Sequence, residues 1–255
     1  MFATSPHSGP FENPSTVPIL EGLSLRVSSA TPTLLARLDQ TLVWCARISW
    51  TAKRRLSASL KRSLDLGGAA MMLLALSPLF VLVALIIKLN DRGPILFWQK
   101  RVGRWGQLFW FPKFRSMVPN AEQLKAQLLA HNDHKNSVTF KMKRDPRITW
   151  IGRIIRKSSI DELPQLWCVI KGEMSLVGPR PPVIQEVEKY TMLARRRLEV
   201  APGLTCLWQI SGRGDIPFAR QVELDVEYIN TQSLWTDLRI LVKTIPAVIK
   251  GRGAY

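Results

Sequence analysis

The longest apolar run of the chain extends from Leu66 to Ile87 and comprises twenty-two residues without a charged side chain. As an α-helix this run would be about 33 Å long, which is enough to cross the hydrocarbon core of a bilayer. Its centre carries Ser77-Pro78, and Pro78 cannot donate the helical hydrogen bond to the carbonyl of Leu74. The pattern therefore predicts a membrane helix that breaks in its middle.

Basic residues flank this apolar run on both sides. They are Lys53, Arg54, Arg55, Lys61 and Arg62 before the run, and Lys88, Arg92, Lys100, Arg101 and Arg104 after it. Because basic flanks mark the cytoplasmic side of a membrane segment, both ends are expected to face the cytoplasm. The favoured prediction is a re-entrant helix, which enters the bilayer, breaks at Ser77-Pro78 and returns to the same leaflet. A kinked span is the first alternative, and a buried helix of a soluble core is the second.

Two segments precede the apolar run. Residues 1–33 contain five prolines among many serines and threonines, which predicts a disordered tail and not a secretory signal. Residues 34–62 place apolar side chains at roughly helical spacing between basic ones, which predicts an amphipathic basic helix on the membrane surface. The predicted division of the chain continues with the re-entrant membrane helix at 63–90 and one cytoplasmic domain at 91–255.

The cytoplasmic domain begins with a predicted β-hairpin, because Ile95 to Val102 and Leu108 to Arg115 are rich in β-forming residues and are joined by a glycine-containing turn. Its aromatic residues favour a lipid headgroup interface, although a small soluble core is an alternative. They are Trp98, Trp105, Phe109, Trp110 and Phe111. Residues 121–130 are predicted to be helical, and Leu234 to Ile249 predicts a final interfacial helix. The predicted fold is mixed α+β and mainly helical, with a re-entrant helix, amphipathic interfacial helices and one small β-hairpin.

The charge of the chain narrows the classes of partner. Its 36 Lys and Arg against 19 Asp and Glu give a net charge of +17, which favours a polyanion such as nucleic acid, anionic lipid or a nucleotide. With a membrane segment present, lipid headgroups and phosphorylated substrates are favoured. Cys45, Cys168 and Cys206 have no paired spacing, so neither a disulfide framework nor a zinc site is indicated. His131 and His134 are typical of a solvated loop, with a metal pair as the alternative.

Two adjacent carboxylates, Asp161 and Glu162, are the candidate reactive groups. Ser159 and Glu162 have the spacing of a capping box, and Pro164 is tolerated only in a first turn, so a helix is expected to start near Ile160. The free N–H groups at a helix N-terminus favour ionised carboxylates, which suits a nucleophile or a metal ligand. Simple capping of the helix is the alternative.

Cations cluster around these carboxylates in the sequence. Arg153, Arg156, Lys157, Lys171 and Arg180 lie within 28 residues of one another. So many cations near two carboxylates indicate a phosphate site. The proline-rich stretch from Ser175 to Pro182 predicts a rigid extended loop that holds Arg180 in place.

Five motifs in order make the chain recognisable. They are KFRSM (Lys113 to Met117), DPRIT (Asp145 to Thr149), SIDELPQL (Ser159 to Leu166), SLVGPRPP (Ser175 to Pro182) and APGLTCLWQISGR (Ala201 to Arg213). From about Lys61 to Tyr255 the chain closely resembles the bacterial sugar transferase family. These are monotopic polyprenyl-phosphate phosphoglycosyl transferases, which begin the assembly of capsule, exopolysaccharide and O-antigen. The chain departs from the family at Cys206, where glycine is common.

The resemblance implies roles for particular residues. Asp161 and Glu162 would form the catalytic dyad, with Mg²⁺ required and Asp161 as its ligand. Lys113, Arg156 and Arg180 would bind substrate, and Ser77-Pro78 would break the re-entrant helix. The implied reaction transfers a hexose 1-phosphate from a UDP-sugar to undecaprenyl phosphate and releases UMP. Residues 91–255 would then be a catalytic domain on the cytoplasmic face of the bacterial inner membrane.

The partners that follow are a UDP-sugar, undecaprenyl phosphate and membrane lipid, with a homodimer left open and no nucleic acid expected. The rival hypothesis is a non-catalytic, membrane-attached basic module that binds acidic lipid or nucleic acid. It explains the charge and the amphipathic helices equally well. It does not explain the ordered carboxylate and arginine motifs, so the transferase is favoured. The sequence does not identify the sugar.

Overall fold

A computed structural model describes residues 34–121, 123–124 and 145–251 of the chain. The predicted disordered tail, the two histidines and most of the helix predicted at 121–130 lie outside these described residues. The division of the chain into four segments stays a prediction.

Two helices carry the apolar run. Helix α1 (Leu34–Ala75) continues without interruption across position 62, where the sequence analysis separated two segments, and helix α2 (Ser77–Asp91) follows it. The portions Arg55–Ala75 and Ser77–Asn90 are bent against each other by 58°. Among the described residues no helix alone is long and apolar enough to cross a membrane, and only this bent pair reaches that length and composition. The break is confirmed, and the re-entrant course through a bilayer stays a prediction.

The hydrogen bond that is lost at the break is replaced by a nearby side chain. Pro78 lies in the first turn of α2, where a missing N–H removes no helical hydrogen bond of α2. The carbonyl of Leu74, which Pro78 leaves without its usual donor, instead accepts a hydrogen bond of 2.8 Å from the hydroxyl of Ser77. The bend therefore leaves this carbonyl satisfied, as a helix in hydrocarbon would require.

The predicted hairpin is confirmed. Strands β1 (Leu96–Val102) and β2 (Leu108–Phe114) pair antiparallel through a 3-10 turn at Arg104–Gly106. Since side chains alternate along a strand, Arg101 and Lys113 lie on the same face as Phe111. The Arg101 guanidinium is 5.1 Å from the centre of the Phe111 ring, and the Lys113 ammonium is 5.2 Å from it. The hairpin thus holds two cations against the same aromatic ring.

The rest of the domain is built from short elements. In order they are α3 (Trp150–Lys157), a 3-10 helix (Ile160–Gln165), α4 (Leu166–Lys171), β3 (Ser175–Val177), α5 (Ile184–Glu188), α6 (Met192–Arg195), a 3-10 turn (Arg196–Leu198), β4 (Gly203–Thr205), α7 (Leu207–Ser211), a 3-10 turn (Arg213–Asp215), α8 (Phe218–Thr231) and α9 (Leu234–Lys250). The mainly helical, mixed α+β fold is confirmed.

A second small sheet was not predicted from the sequence. Strands β3 and β4 pair in parallel, with Ser175 opposite Gly203 and Val177 opposite Thr205. Just beyond β3, Gly178 packs closely against Gly203 and its neighbours: a Cβ atom on Gly178 would collide with the carbonyl of Ala201, and one on Gly203 would collide with the backbone of Gly178. This contact needs glycine at both positions, and it fixes the point from which the chain continues to Arg180.

The main apolar core joins α1 to the domain. Its buried members are Ala69 of α1, Phe109 and Phe111 of β2, Leu166, Cys168 and Val169 of α4, Met174, Leu176 and Val177 around β3, Tyr228 of α8 and Ile240 of α9. Helix α9 buries Asp237 and Ile240 and exposes an apolar row on its other side. Its amphipathic character is confirmed, and its place at a membrane interface stays a prediction.

Buried polar contacts reinforce the junction between α1 and the domain. The carboxylate of Asp237, which is fully buried, accepts hydrogen bonds from Lys61 Nζ at 2.6 Å and from the hydroxyl of Tyr228 at 2.7 Å. The guanidinium of Arg62 donates to the carbonyls of Val169 at 2.6 Å and Ile170 at 2.7 Å, which end helix α4. Both residues of α1 therefore bind groups that the fold has withdrawn from water.

We expect Asp237→Asn to lower the free energy of unfolding by about 3 kcal/mol, because it removes the closer of the two anions that pair with the largely buried Lys61 ammonium. Denaturant unfolding of the full chain in detergent micelles measures the loss. The matched control is Glu223→Gln, which breaks the Arg220–Glu223 ion pair of 2.7 Å, where both side chains are more than half exposed. The control is expected to change stability by about 0.5 kcal/mol. Equal losses in the two variants would contradict the structural role of Asp237.

Candidate active site

The catalytic candidates line one cavity of about 570 Å³. Its walls come from the hairpin, the end of α3, the 3-10 helix that follows it, the chain after β3, and the segment from α7 to α8. All five residues predicted to be catalytic or substrate-binding lie in this wall: Lys113, Arg156, Asp161, Glu162 and Arg180. The structure therefore brings together residues that are up to 67 positions apart in the sequence (180 − 113).

Glu162 is the point where two cations meet. Its Oε1 atom accepts hydrogen bonds from Lys113 Nζ at 2.9 Å and from Arg180 Nη2 at 2.8 Å. Burial alone would raise the pKa of Glu162, but Arg180 and Lys113 together hold that pKa well below its usual range. Glu162 is therefore an anion that orients both cations, one from β2 and one from the chain after β3.

The capping box predicted for Ser159 and Glu162 is wrong. Ser159 adopts a left-handed conformation with φ of 57°, and its side chain makes no capping bond to the helix. Its hydroxyl accepts a hydrogen bond of 3.0 Å from Arg213, and Glu162 binds Lys113 and Arg180 instead. A 3-10 helix nevertheless begins at Ile160, as the position of Pro164 predicted, and continues into α4. Simple capping consequently does not account for these polar side chains.

Asp161 is the less restrained member of the pair. Its side chain is 6% exposed, and no side chain among the described residues hydrogen bonds to its carboxylate. Burial, followed by the charge of Glu162, raises the pKa of Asp161 to about 6, although Lys113, Arg156 and Arg180 oppose this shift. The carboxylate remains mostly ionised at neutral pH and is more basic than an ordinary aspartate. Both properties suit a nucleophile that faces a cavity.

The donor set fits a magnesium ion only in part. Within the described ranges no group of three or more His, Cys, Asp or Glu side chains could hold a metal. Mg²⁺ typically takes one or two carboxylates and completes its shell with substrate phosphates and water. The carboxylate of Asp161, which accepts no hydrogen bond from the described side chains, meets that requirement, whereas Oε1 of Glu162 is already held by two cations.

The cation cluster predicted from sequence proximity is only partly correct. Arg156 and Arg180 line the cavity, but Arg153, Lys157 and Lys171 are exposed and do not. Neighbours in the sequence around a helix point in different directions, so spacing alone could not separate these two sets.

Several residues of the wall were not predicted from the sequence. Arg101 donates to the carbonyl of Pro181 at 3.0 Å, and burial, together with repulsion by Arg180, lowers its pKa to about 10. Strand alternation in the predicted hairpin places Arg101 on the same face as Lys113, and this pattern could have revealed Arg101. Trp208 and Arg213 belong to the motif from Ala201 to Arg213, which was recognised without roles for these two side chains, and Arg197 lies just before that motif.

Arg197 supports the side of the cavity that the C-terminal third of the chain forms. It is buried, binds Oδ2 of Asp225 at 2.7 Å and donates to the hydroxyl of Tyr190 at 2.9 Å. Its guanidinium lies 5.6 Å from the ring centres of both Tyr190 and Phe218. These contacts tie Tyr190, which precedes α6, and the turn after α6 to helix α8 at the wall of the cavity.

The sequence that forms this cavity is similar to sequences of known proteins. A family model described as "Bacterial sugar transferase" matches residues 56–251. The chain is 51% identical over 195 residues to the galactosyl transferase CpsE of Streptococcus agalactiae, a match that covers 76% of this chain and 43% of that protein. It is 46% identical over 198 residues to the exopolysaccharide production protein ExoY of Sinorhizobium fredii, covering 76% of this chain and 88% of ExoY.

A third relative is named for its lipid substrate. The chain is 44% identical over 216 residues to an undecaprenyl-phosphate galactose phosphotransferase of Salmonella typhimurium, covering 84% of this chain and 45% of that protein. The chain therefore spans less than half of the Streptococcus and Salmonella relatives and most of the length of ExoY.

Proposed function

Because this chain belongs to the bacterial sugar transferase family, we propose that it transfers a hexose 1-phosphate from a UDP-sugar to undecaprenyl phosphate and releases UMP. The observation that carries the proposal is the carboxylate of Asp161, to which no described side chain hydrogen bonds, in a cavity that also holds Lys113, Arg156 and Arg180. The name of the Salmonella relative supports the same acceptor and a hexose donor. This reaction is the first membrane step in building an exopolysaccharide or a related glycan.

The proposed chemistry has two displacements at one phosphorus atom. First, a carboxylate oxygen of Asp161 forms a bond to the β-phosphorus, and the bond from that phosphorus to the bridging oxygen breaks. UMP leaves with the bonding electron pair, and Asp161 carries the sugar phosphate. Then an oxygen of undecaprenyl phosphate attacks the same phosphorus, and the Asp161 carboxylate leaves. The product is an undecaprenyl diphosphate sugar.

The cations of the cavity would stabilise the phosphate oxygens during both steps. Arg180 and Lys113 are held in position by Glu162, and Arg156 acts electrostatically on Asp161 itself. A preorganised donor of this kind typically contributes about 3 kcal/mol to transition-state stabilisation. Glu162 would thus contribute to the dyad by orienting Lys113 and Arg180. Glu162 must be ionised for this role, because an anion holds both cations.

Magnesium is part of the proposal. Asp161, together with oxygens of the substrate diphosphate, would hold the ion, since the protein alone offers too few ligands among its described residues. Bound there, Mg²⁺ would neutralise charge on the diphosphate.

The cavity is large enough for more than a diphosphate. Trp208, Phe218 and Gln221 also line it, and aromatic rings and an amide suit the binding of a nucleoside by stacking and hydrogen bonds. This composition supports a nucleotide sugar as the donor.

The membrane is the second part of the proposal. We infer that the bent pair α1 and α2 enters the bilayer and returns to the same leaflet, with the cavity on the cytoplasmic face of the bacterial inner membrane. Apolar side chains exposed on these helices and on α9 support a lipid surface, since soluble proteins rarely expose so many together. They are Met71 and Leu74 of α1, Val81, Leu82, Leu85 and Leu89 of α2, and Trp235, Leu238, Val242, Ile245 and Ile249 of α9.

The direct test is UMP release by the full chain in lipid nanodiscs that contain undecaprenyl phosphate. We expect UMP from at least one member of a panel of UDP-hexoses, and a radiolabelled sugar recovered in the lipid phase. EDTA is expected to stop the release, and added Mg²⁺ to restore it, because EDTA would remove the ion that Asp161 and the substrate diphosphate are proposed to hold. A basic lipid-binding module would bind the nanodiscs and release no UMP from any donor, and that result would overturn the proposal.

A further inference from the structure

Arg213 lies in a strained turn at the edge of the cavity. Its φ of 52° falls in the left-handed region, which a non-glycine residue seldom occupies. Gly212 before it has φ of 155°, so the backbone needs glycine on this side of the arginine. Strain of this kind is retained where the surrounding structure uses the side chain that it positions.

A second strained residue holds the side chain of Arg213. Among the described residues, four non-glycine residues have positive φ: Arg92, Trp105, Ser159 and Arg213. Two of these four, Ser159 and Arg213, are hydrogen bonded to each other, through Oγ and Nη2 at 3.0 Å. Ser159 lies two residues before Asp161, so the bond ties the arginine to the segment that carries the carboxylates.

The other terminal nitrogen of Arg213, Nη1, makes no hydrogen bond to the residues that the structure describes. This atom is buried, although the residue lines the cavity. A buried donor without a partner is unfavourable, and a charged donor more so. The charges of Glu162 and Asp161 act on this guanidinium, which places it within the same electrostatic environment as the dyad.

We propose that Arg213 is a substrate-binding residue whose Nη1 donates to a phosphate oxygen of a substrate bound beside Asp161. This inference rests on the proposed function and adds a third arginine to the phosphate-binding set of Arg156 and Arg180. One nitrogen of the planar guanidinium is fixed by Ser159, so the other is already oriented for a single anionic oxygen. Ser159 is then a positioning residue, because it acts through Arg213.

The phosphate could belong to the leaving nucleotide or to the lipid acceptor. The test therefore measures two Michaelis constants with the full chain in nanodiscs, one for the UDP-sugar at saturating undecaprenyl phosphate and one for the lipid at saturating UDP-sugar. The variants are Arg213→Gln, which removes the charge and the donor fork, and Ser159→Gly, which removes the hydroxyl and tolerates the left-handed backbone. The matched control is Arg220→Gln, since Arg220 is an exposed residue of α8 that pairs only with Glu223 among the described residues.

We expect Arg213→Gln to raise one of the two constants about ten- to a hundredfold, as the loss of a charge-assisted hydrogen bond does. Ser159→Gly is expected to raise the same constant by a smaller factor, and Arg220→Gln to change neither. A rise for the UDP-sugar assigns the phosphate to the nucleotide, and a rise for the lipid assigns it to the acceptor. If both constants stay within about twofold of wild type, the proposal is wrong.

Direct binding separates this inference from the proposed function. UMP and inorganic phosphate are titrated into wild type and variants, and thermal stabilisation is recorded. If wild type binds UMP or phosphate and Arg213→Gln binds it more weakly, Arg213 binds the anion even if no turnover is found. If turnover and anion binding are both unchanged in Arg213→Gln, the inference fails and the proposed function stands. Should Arg213→Gln not fold, Arg213→Lys keeps the charge and shortens the reach, and it is held to the same outcomes.

Discussion

Asp161→Asn is expected to lower UMP release by about three orders of magnitude or more, because an amide cannot replace a carboxylate as the attacking nucleophile. The variant should remain folded. Burial raises the pKa of Asp161 to about 6, so at neutral pH its charge is less favourable in the folded protein than in the unfolded chain. Replacing it by a neutral side chain of the same size therefore carries no penalty in stability.

Turnover and thermal unfolding of the same preparation test this expectation together. Retention of more than about a tenth of wild-type turnover would refute Asp161 as the nucleophile, since the residual rates of such variants are far lower. Asp237→Asn provides the contrasting control, because it makes the same chemical change in the buried network outside the cavity. It is expected to lower stability much more than Asp161→Asn does.

The covalent step has its own measurement. A pulse of UDP-sugar given to the wild type without undecaprenyl phosphate should leave a sugar phosphate on Asp161, which mass spectrometry of the peptide that contains it would detect. Asp161→Asn should show no such mass increase. If wild type also shows none while it releases UMP with the lipid present, a direct transfer between the two substrates becomes the better mechanism.

The second large effect is expected in membrane topology. Replacing Ser77 by Ala together with Pro78 by Leu should straighten the 58° bend between α1 and α2. The leucine introduced in place of the proline would supply the backbone N–H that the Leu74 carbonyl lacks and that the Ser77 hydroxyl now replaces at 2.8 Å. Proline inside a helix costs about 3 kcal/mol, so its removal favours one continuous helix. The apolar run within that helix would be about 33 Å long and straight, so one of its basic flanks would have to cross the bilayer.

Accessibility labelling of single cysteines at positions 59 and 90 distinguishes the two topologies. Both positions are exposed, and the background variant lacks Cys45, Cys168 and Cys206. In the parent both positions should react only from the cytoplasmic side, and in the double variant they should react from opposite sides. Ser77→Ala alone, which keeps Pro78, is the matched control and should behave as the parent does. Opposite-side labelling in the parent would exclude the re-entrant course.

The sequence could predict those parts of the fold that form through contacts between residues close together in the chain. The break at Ser77-Pro78 was predictable because it follows from the missing N–H of one residue and a carbonyl four positions earlier. The β1–β2 hairpin was predictable because strand alternation and a turn are local patterns. The parallel pair β3 and β4 was missed, since each strand has only three residues and their pairing joins segments 28 positions apart (203 − 175). Strands so short leave no periodicity to read.

The candidate site was likewise predictable only in its local features. By itself the sequence determined that two carboxylates begin a helical segment and that cations and a proline-rich loop lie near them. Only the tertiary structure decided what each side chain binds. Ser159 and Glu162 have the spacing of a capping box, yet Ser159 binds Arg213, 54 positions later, and Glu162 binds Lys113, 49 positions earlier. A charged partner brought close by folding forms a stronger hydrogen bond than a neutral backbone N–H offers, so the long-range contacts displaced the local cap.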